Sequence, residues 1–270
     1  MTTTAQSEAP PPVGFKFEPR DVAVERSRQR TKLSHCGVDP DLWGDVADPT
    51  FFAFFTIMAQ RWSGRSINGN VHMTQVYRLA SALPLDAPLT MTGVVSRIDR
   101  HPRGSVVHAD FAFRDMAGKE PMTASRSSLN PGPGDASAPR NALAARSLDT
   151  MGEISRTTLV PDRVAAFSDE AENLIHSDPA TAKRFGFRAP IAGGLMASHI
   201  MLGALIEEAG GAGGVTALNG EIAFLRPMFW DERLRVFASD VKDAGPRFLA
   251  LVGDDDKPRC RATIDSITFG

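Results

Sequence analysis

Apolar positions along the chain fall into two patterns, and the pair of patterns occurs twice. From Asp48, the run DPTFFAFFTIMAQRW opens with an N-capping acid and places Pro49 at the first helical position, where its missing N–H costs nothing. Phe51, Phe52, Phe54, Phe55, Ile57 and Met58 go nearly all the way round the helix this predicts, so other elements must wrap it. Residues 67–129 then break into INGNVHMTQVYRLA, LTMTGVVSRI, SVVHADFAFR and PMTASRSSL. These runs have strand-forming composition and are separated by Gly, Pro and Asp, which turns require. The pattern predicts an antiparallel sheet curled around a helix.

The plan returns after a stretch rich in Pro, Gly and Ala. An apolar helix is expected from Leu195 to about Ala209, followed by strands in ALNGEIAFLRPMF, RLRVFASDVK, RFLALVG and PRCRATIDSIT. Helix first and strands after, twice in one chain, is a repeat of architecture rather than of residues. The expected fold is α+β, with two antiparallel sheets each wrapped around a long apolar helix. Edge strands of the two units can pair into one continuous sheet, which removes two exposed edges. The expected organisation is a disordered Thr-, Ala- and Pro-rich tail at 1–14, a first unit at 15–130, a linker at 131–149 and a second unit at 150–270.

At 270 residues the chain is long enough for two such units. Thirty Lys and Arg against 32 Asp and Glu leave a net charge of -2, which supplies no basic field for nucleic acid. Cys36 and Cys260 lie far apart without a CxxC or a Cys/His ligand spacing, so neither a disulfide framework nor a metal site is expected. The first residues have a proline run and an acid where a signal peptide needs basic residues and an apolar core, and no run reaches the ~20 apolar residues that span a bilayer. A cytoplasmic protein is expected, with no membrane partner.

Titratable groups converge most in FSDEAENLIHSDPATAKRFGFRAPIAGGLMASHIMLGALIEEAG, residues 167–210. Pro161 opens a short helix ahead of it, and Asp178 with Pro179 repeats the cap-and-proline start for a helix ending near Gly186. His176 is expected on extended chain between these helices. Ser168, Asn173, Ile175, His176, Asp178, Ala182, Gly186, Phe187, Ile191 and Gly194 resemble the signature of the MaoC-like (R)-specific enoyl-CoA hydratase and dehydratase family. The run FLRPMFWDERLRV at 224–236 resembles that family's later Phe, Pro, acid and Leu pattern. The chain departs from the family in three places: Ala171 stands where the catalytic aspartate is expected, Leu174 replaces a proline, and Gly193 replaces the histidine of a His-Gly turn.

The resemblance implies a double-hotdog fold and addition or removal of water across a 2-enoyl thioester, with CoA as the carrier and no cofactor. It implies His176 as one member of the acid/base pair. Glu172, four residues before it, is the first candidate to supply the missing carboxylate, with Glu170 behind it. Asn173 would position one of them, and the N–H groups of Gly193 or Gly194 would hold the thioester oxygen. Each residue also has a plainer role: a histidine bridging two helices, a solvated acid, an amide bonded to loop backbone, a glycine turn. Two rival functions remain, a thioesterase in which Glu172 or Glu170 activates water against the thioester carbon, and a non-catalytic acyl-binding subunit. His199 reads as a core or interface histidine and His35, His72, His101 and His108 as structural. Arg226 and Arg233 are candidates for carrier phosphates or plain surface residues, and a homodimer is allowed.

Overall fold

The computed structural model describes residues 9–67, 69–132, 147–171, 173–211, 213–240 and 245–270. In chain order the first half contains β1 (Lys16–Val22), α1 (Arg26–Cys36), α2 (Phe52–Trp62), β2 (Val71–Leu79), β3 (Leu89–His101), β4 (Gly104–Arg114) and β5 (Met122–Pro131). The second contains β6 (Gly152–Thr158), α3 (Pro161–Phe167), α4 (Pro179–Arg184), α5 (Gly194–Glu208), β7 (Val215–Phe224), β8 (Arg233–Ala238), β9 (Arg247–Val252) and β10 (Pro258–Phe269). The linker expected at 131–149 falls mostly on residues 133–146, which lie outside the described residues, as does the start of the 1–14 tail. Near the end of that tail the Gly14 N–H donates to the Val95 carbonyl at 2.8 Å.

All ten strands form one antiparallel sheet in the order β1-β3-β4-β5-β2-β7-β10-β9-β8-β6. Read outward from the centre, β2-β5-β4-β3-β1 and β7-β10-β9-β8-β6 repeat the same internal order, so the two halves meet through equivalent edge strands. The seam pairs Thr74 through Leu79 with Ala223 through Leu218. This is the double hotdog with its two sheets joined, and the pairing satisfies two edges that would otherwise expose N–H and C=O groups.

Each half wraps one apolar helix. Asp48 and Pro49 start a 3₁₀ turn that runs straight into α2, with the Asp48 carboxylate accepting from the Thr50 N–H at 2.8 Å. Phe52, Ala53, Phe55 and Met58 of α2 are buried. Helix α5 is buried from Met196 to Ile206 without interruption, as its lack of a polar face requires. The edge strand β1, KFEPRDV, escaped the hydrophobic pattern, and so did two further elements. α1, RSRQRTKLSHC, is too polar to show an apolar stripe, and β6, GEISRTT, is a mostly exposed edge strand. Both pack beside the segment that carries the candidate chemistry.

Candidate active site

Backbone pairing around Ile191 builds the site. After α3 the chain makes a 3₁₀ turn at Asp169–Ala171 and another at Leu174–His176. His176 thus closes a tight turn instead of lying on the extended chain expected, because the Asn173 side chain accepts from the Ile175 N–H and curls the backbone. The Ile191 N–H then donates to the Ile175 carbonyl at 3.2 Å, and His176 Nδ1 meets the Ile191 carbonyl at 2.7 Å. On its other side this strip is held to the segment after β7, with the Ala192 N–H on the Met228 carbonyl and the Trp230 N–H on the Pro190 carbonyl. His176 is thereby fixed against Ile191, three residues before the start of α5.

The partner of His176 sets its tautomer. A carbonyl only accepts, so Nδ1 carries the proton and Nε2 keeps its lone pair. Burial lowers the pKa of the ring below the ordinary histidine value, and the bond to Ile191 raises it by less. Near neutral pH the imidazole is therefore a neutral base with a defined accepting nitrogen.

Helix α5 opens beside this ring without a side-chain cap among the described residues, and Gly193 is its N-cap. Gly193 has φ -61°, which any residue adopts, and a Cβ built on it would lie 3.5 Å from Ser168 Oγ and 3.9 Å from Phe167 Cε1. Neither backbone strain nor crowding requires glycine there; its absent side chain leaves open space over the Ser168 hydroxyl. That hydroxyl is buried and has no hydrogen-bond partner among the described residues. Gly194 differs, since a Cβ on it would come within 3.1 Å of the Phe224 ring, a tight contact that the ring would have to relieve. Unused helix N–H groups and an unpartnered hydroxyl together form a donor-rich spot suited to an oxygen gaining negative charge.

The acidic segment is distributed unevenly. Glu172 lies outside the described residues. Asn173 is exposed, with its Oδ1 on the Ile175 N–H at 3.3 Å. Asp178 caps α4 through the Thr181 N–H and hydroxyl at 2.8 and 2.6 Å, which hold its carboxyl below the ordinary range. Asp169 and Glu170 are bound by α1. Lys32 Nζ donates to the Ala166 and Phe167 carbonyls and to Asp169 at 2.7 Å, capping the C-terminal end of α3. Arg28 makes a two-pronged contact with Glu170, closest at 2.7 Å, while its guanidinium lies 4.3 Å from the Phe54 ring centre. Burial raises the Glu170 carboxyl, but Arg28 and Lys32 more than offset this and leave it below its ordinary value. Glu170 is thus an ionised anchor, poorly suited to act as a base. The motif alone did not reveal this clamp; its signal was Arg28 and Lys32, four apart on α1, which face Asp169 and Glu170.

Other sequence candidates are accounted for locally. His199 is 1% exposed, and its Nδ1–H lies 2.6 Å from both Asp48 Oδ2 and Thr50 Oγ1, a buried satisfied histidine. Arg233 pairs with Asp254 at 3.0 Å and Arg226 donates to the Pro258 carbonyl. Cys36 and Cys260 are free and buried. Among the described residues no group of three or more His, Cys, Asp or Glu could hold a metal ion, and no helix is long and apolar enough to cross a membrane. Between α5 and the seam strands lies a small apolar cavity of about 20 Å³, lined by Thr50, Tyr77, Met201, Leu205, Leu218 and Ile222.

The joined double-hotdog architecture is shared with solved structures. HtdX from Mycobacterium tuberculosis superposes with a TM-score of 0.73 at 16% identity, covering 93% of this chain and 99% of that one. A MaoC-like dehydratase from Phytophthora capsici gives 0.71 at 17% identity over 94% and 96% of the two chains. An acyl-ACP thioesterase from Bacteroides thetaiotaomicron gives 0.59 at 10% identity over 92% and 97%. Residues 144–248 match the family model described as MaoC like domain. Within this double hotdog, residues 144–248 thus carry a MaoC-like domain. No curated protein sequence matches the chain.

Proposed function

We propose that the protein is a hydratase or dehydratase of a 2-enoyl thioester, carried on CoA, working at the mouth of α5 in the second half. The observation that supports this most is the His176 tautomer: Nδ1–H is tied to the Ile191 carbonyl, so Nε2 is available to take a proton from water. In hydration the water oxygen bonds to Cβ as that proton leaves. The electron pair of the double bond moves toward the thioester oxygen, and a proton is then delivered to Cα. Dehydration runs the same steps backward. The N–H groups of Gly193 or Gly194 would hold the thioester oxygen, with the Ser168 hydroxyl as a further donor. Glu172 would share the water with His176, and Asn173 would keep the turn that presents both. The reading includes a cytoplasmic location, testable by fractionation, and allows a homodimer, testable by sedimentation.

The test is a panel of 2-enoyl thioesters assayed for loss of conjugated absorbance and for thiol release. Wild type should lose absorbance without releasing thiol, and His176→Ala and Glu172→Gln should each lower kcat/KM by about 10²- to 10⁴-fold. Thiol release would instead favour a thioesterase, a reaction the same architecture hosts in the Bacteroides protein. Binding that survives with neither reaction in any variant would favour the acyl-binding subunit.

A further inference from the structure

The inner face of the first half changes character along its length. Pairs across β2 and β5 run Leu79 with Met122, Tyr77 with Ala124, Gln75 with Arg126 and His72 with Ser128. The equivalent strands of the second half pair Leu218 with Ile267, Gly220 with Ile264, Ile222 with Ala262 and Phe224 with Cys260. That row stays apolar to its end, whereas the first half finishes in an amide, a guanidinium, an imidazole and a hydroxyl facing the core. Arg126 is 7% exposed. Its guanidinium meets the Gln60 side-chain oxygen at 3.2 Å and the Ser128 hydroxyl at 3.4 Å, and its Nε has no partner. Among the described residues it has no carboxylate.

A buried guanidinium without a counter-charge is costly, since an unpaired charge in the interior destabilises a fold strongly. Two neutral acceptors do not replace a carboxylate, whose two oxygens match the guanidinium fork. His72 beside it brings no compensating charge: burial and Arg126 push its pKa down to about 3, so it stays neutral. The polar end is also adjacent to the reacting centre. The His72 ring lies 4.6 Å from the Phe224 ring, and Phe224 packs directly on Gly194 at the start of α5. A short acyl chain whose thioester oxygen sits at Gly193 and Gly194 would pass Phe224 and end at His72 and Arg126.

We propose that the acyl group of the substrate ends in a carboxylate, and that Arg126, with Gln75, Gln60 and His72 around it, is the pocket that receives it. The protein then acts on the monothioester of a short unsaturated dicarboxylic acid rather than on a simple fatty enoyl thioester. This rests on the acyl-thioester reading of the site. A phosphate of the CoA carrier is the other anion such a substrate holds, but it is common to every CoA ester and so cannot favour one acyl end over another.

The experiment compares calorimetric binding of adipoyl-CoA and hexanoyl-CoA, and of succinyl-CoA and butyryl-CoA, to the wild type, Arg126→Met and Arg126→Lys. Wild type should bind at least one dicarboxylic member about tenfold or more tighter than its partner. Arg126→Met should weaken that member by about 30-fold or more, the cost of removing one side of a buried charge pair, and Arg126→Lys should recover part of the loss. Equal affinities within both pairs in the wild type, or an equal loss for both members in Arg126→Met, would overturn the proposal; the wild-type comparison decides even where a variant fails to fold. Running 2-hexenedioyl-CoA and 2-hexenoyl-CoA alongside separates the two ideas. Preference for the dicarboxylic ligand without hydration sinks the proposed reaction and keeps the acidic-end pocket, and hydration without preference does the reverse.

Discussion

In the proposed reaction His176 and Gly193 carry the chemistry, and each has a physical consequence that can be measured. With burial holding the imidazole pKa below its ordinary value, His176 is deprotonated throughout the neutral range and protonates only as pH falls below that of a free histidine. The kcat/KM profile for hydration should therefore show an acid limb below pH 6.5, falling as Nε2 gains a proton, and His176→Gln should abolish the limb along with most of the activity. Gly193→Ala tests the open space over Ser168. Its Cβ would be in ordinary contact at 3.5 Å, so the fold should lose less than about 1 kcal/mol in a denaturant titration, while kcat/KM falls by about tenfold or more as the methyl blocks the thioester. A loss of stability that matches the loss of activity would make Gly193 a packing residue. Of these features, the identity of His176 was legible in sequence because the residues around it carry a spaced motif. The Nδ1 partner was not, because Ile191 lies fifteen residues away and contributes only a carbonyl, which every residue has.

At the scale of elements, α1 and the 3₁₀ turn after α3 act as one unit. Lys32 caps the carbonyls of Ala166 and Phe167 and pairs with Asp169, while Arg28 holds Glu170. The first half thus fixes the backbone that leads into the His176 turn. Lys32→Met keeps the buried stem but leaves two carbonyls and a carboxylate without their donor, at a cost of about 1–3 kcal/mol. Its activity should fall further than the mild destabilisation explains, mainly in kcat, because the turn carrying His176 loses its anchor. An unchanged kcat in a folded Lys32→Met protein would show that the turn needs no such support. The capped starts of α2 and α4 were readable from Asp48-Pro49 and Asp178-Pro179, where local chemistry decides the outcome. Helix α1 was not, because its helicity depends on tertiary ion pairs with residues about 140 positions on rather than on an apolar stripe of its own.

The whole molecule is one sheet with two wrapped helices, and the halves are tied by more than the seam between β2 and β7. The repeat of helix and strands was legible from hydrophobic pattern, and so was the advantage of joining the edges. What pattern could not show is that Asp48, the cap of the first helix, is also the partner of His199 on the second. Asp48 is fully buried, and its two oxygens take the Thr50 N–H, the Thr50 hydroxyl and the His199 ring. Its own N–H donates to the Gln29 side-chain oxygen on α1 at 2.7 Å, so three helices converge on one residue. Asp48→Ala removes the cap and strands His199 and Thr50 in the core, which should cost about 3–5 kcal/mol. Because the lost bonds cross between halves, that cost should lower the unfolding midpoint of both together. Trp43 and Trp62 report on the first half and Trp230 on the second, so single-tryptophan versions of the protein can follow each half in urea against far-UV circular dichroism. Coincident transitions are expected in the parent and in Asp48→Ala, shifted by the same amount. If Trp230 kept its parental midpoint while Trp43 shifted, the second half would stand as an independent folding unit and the buried bridge would be a local cap only.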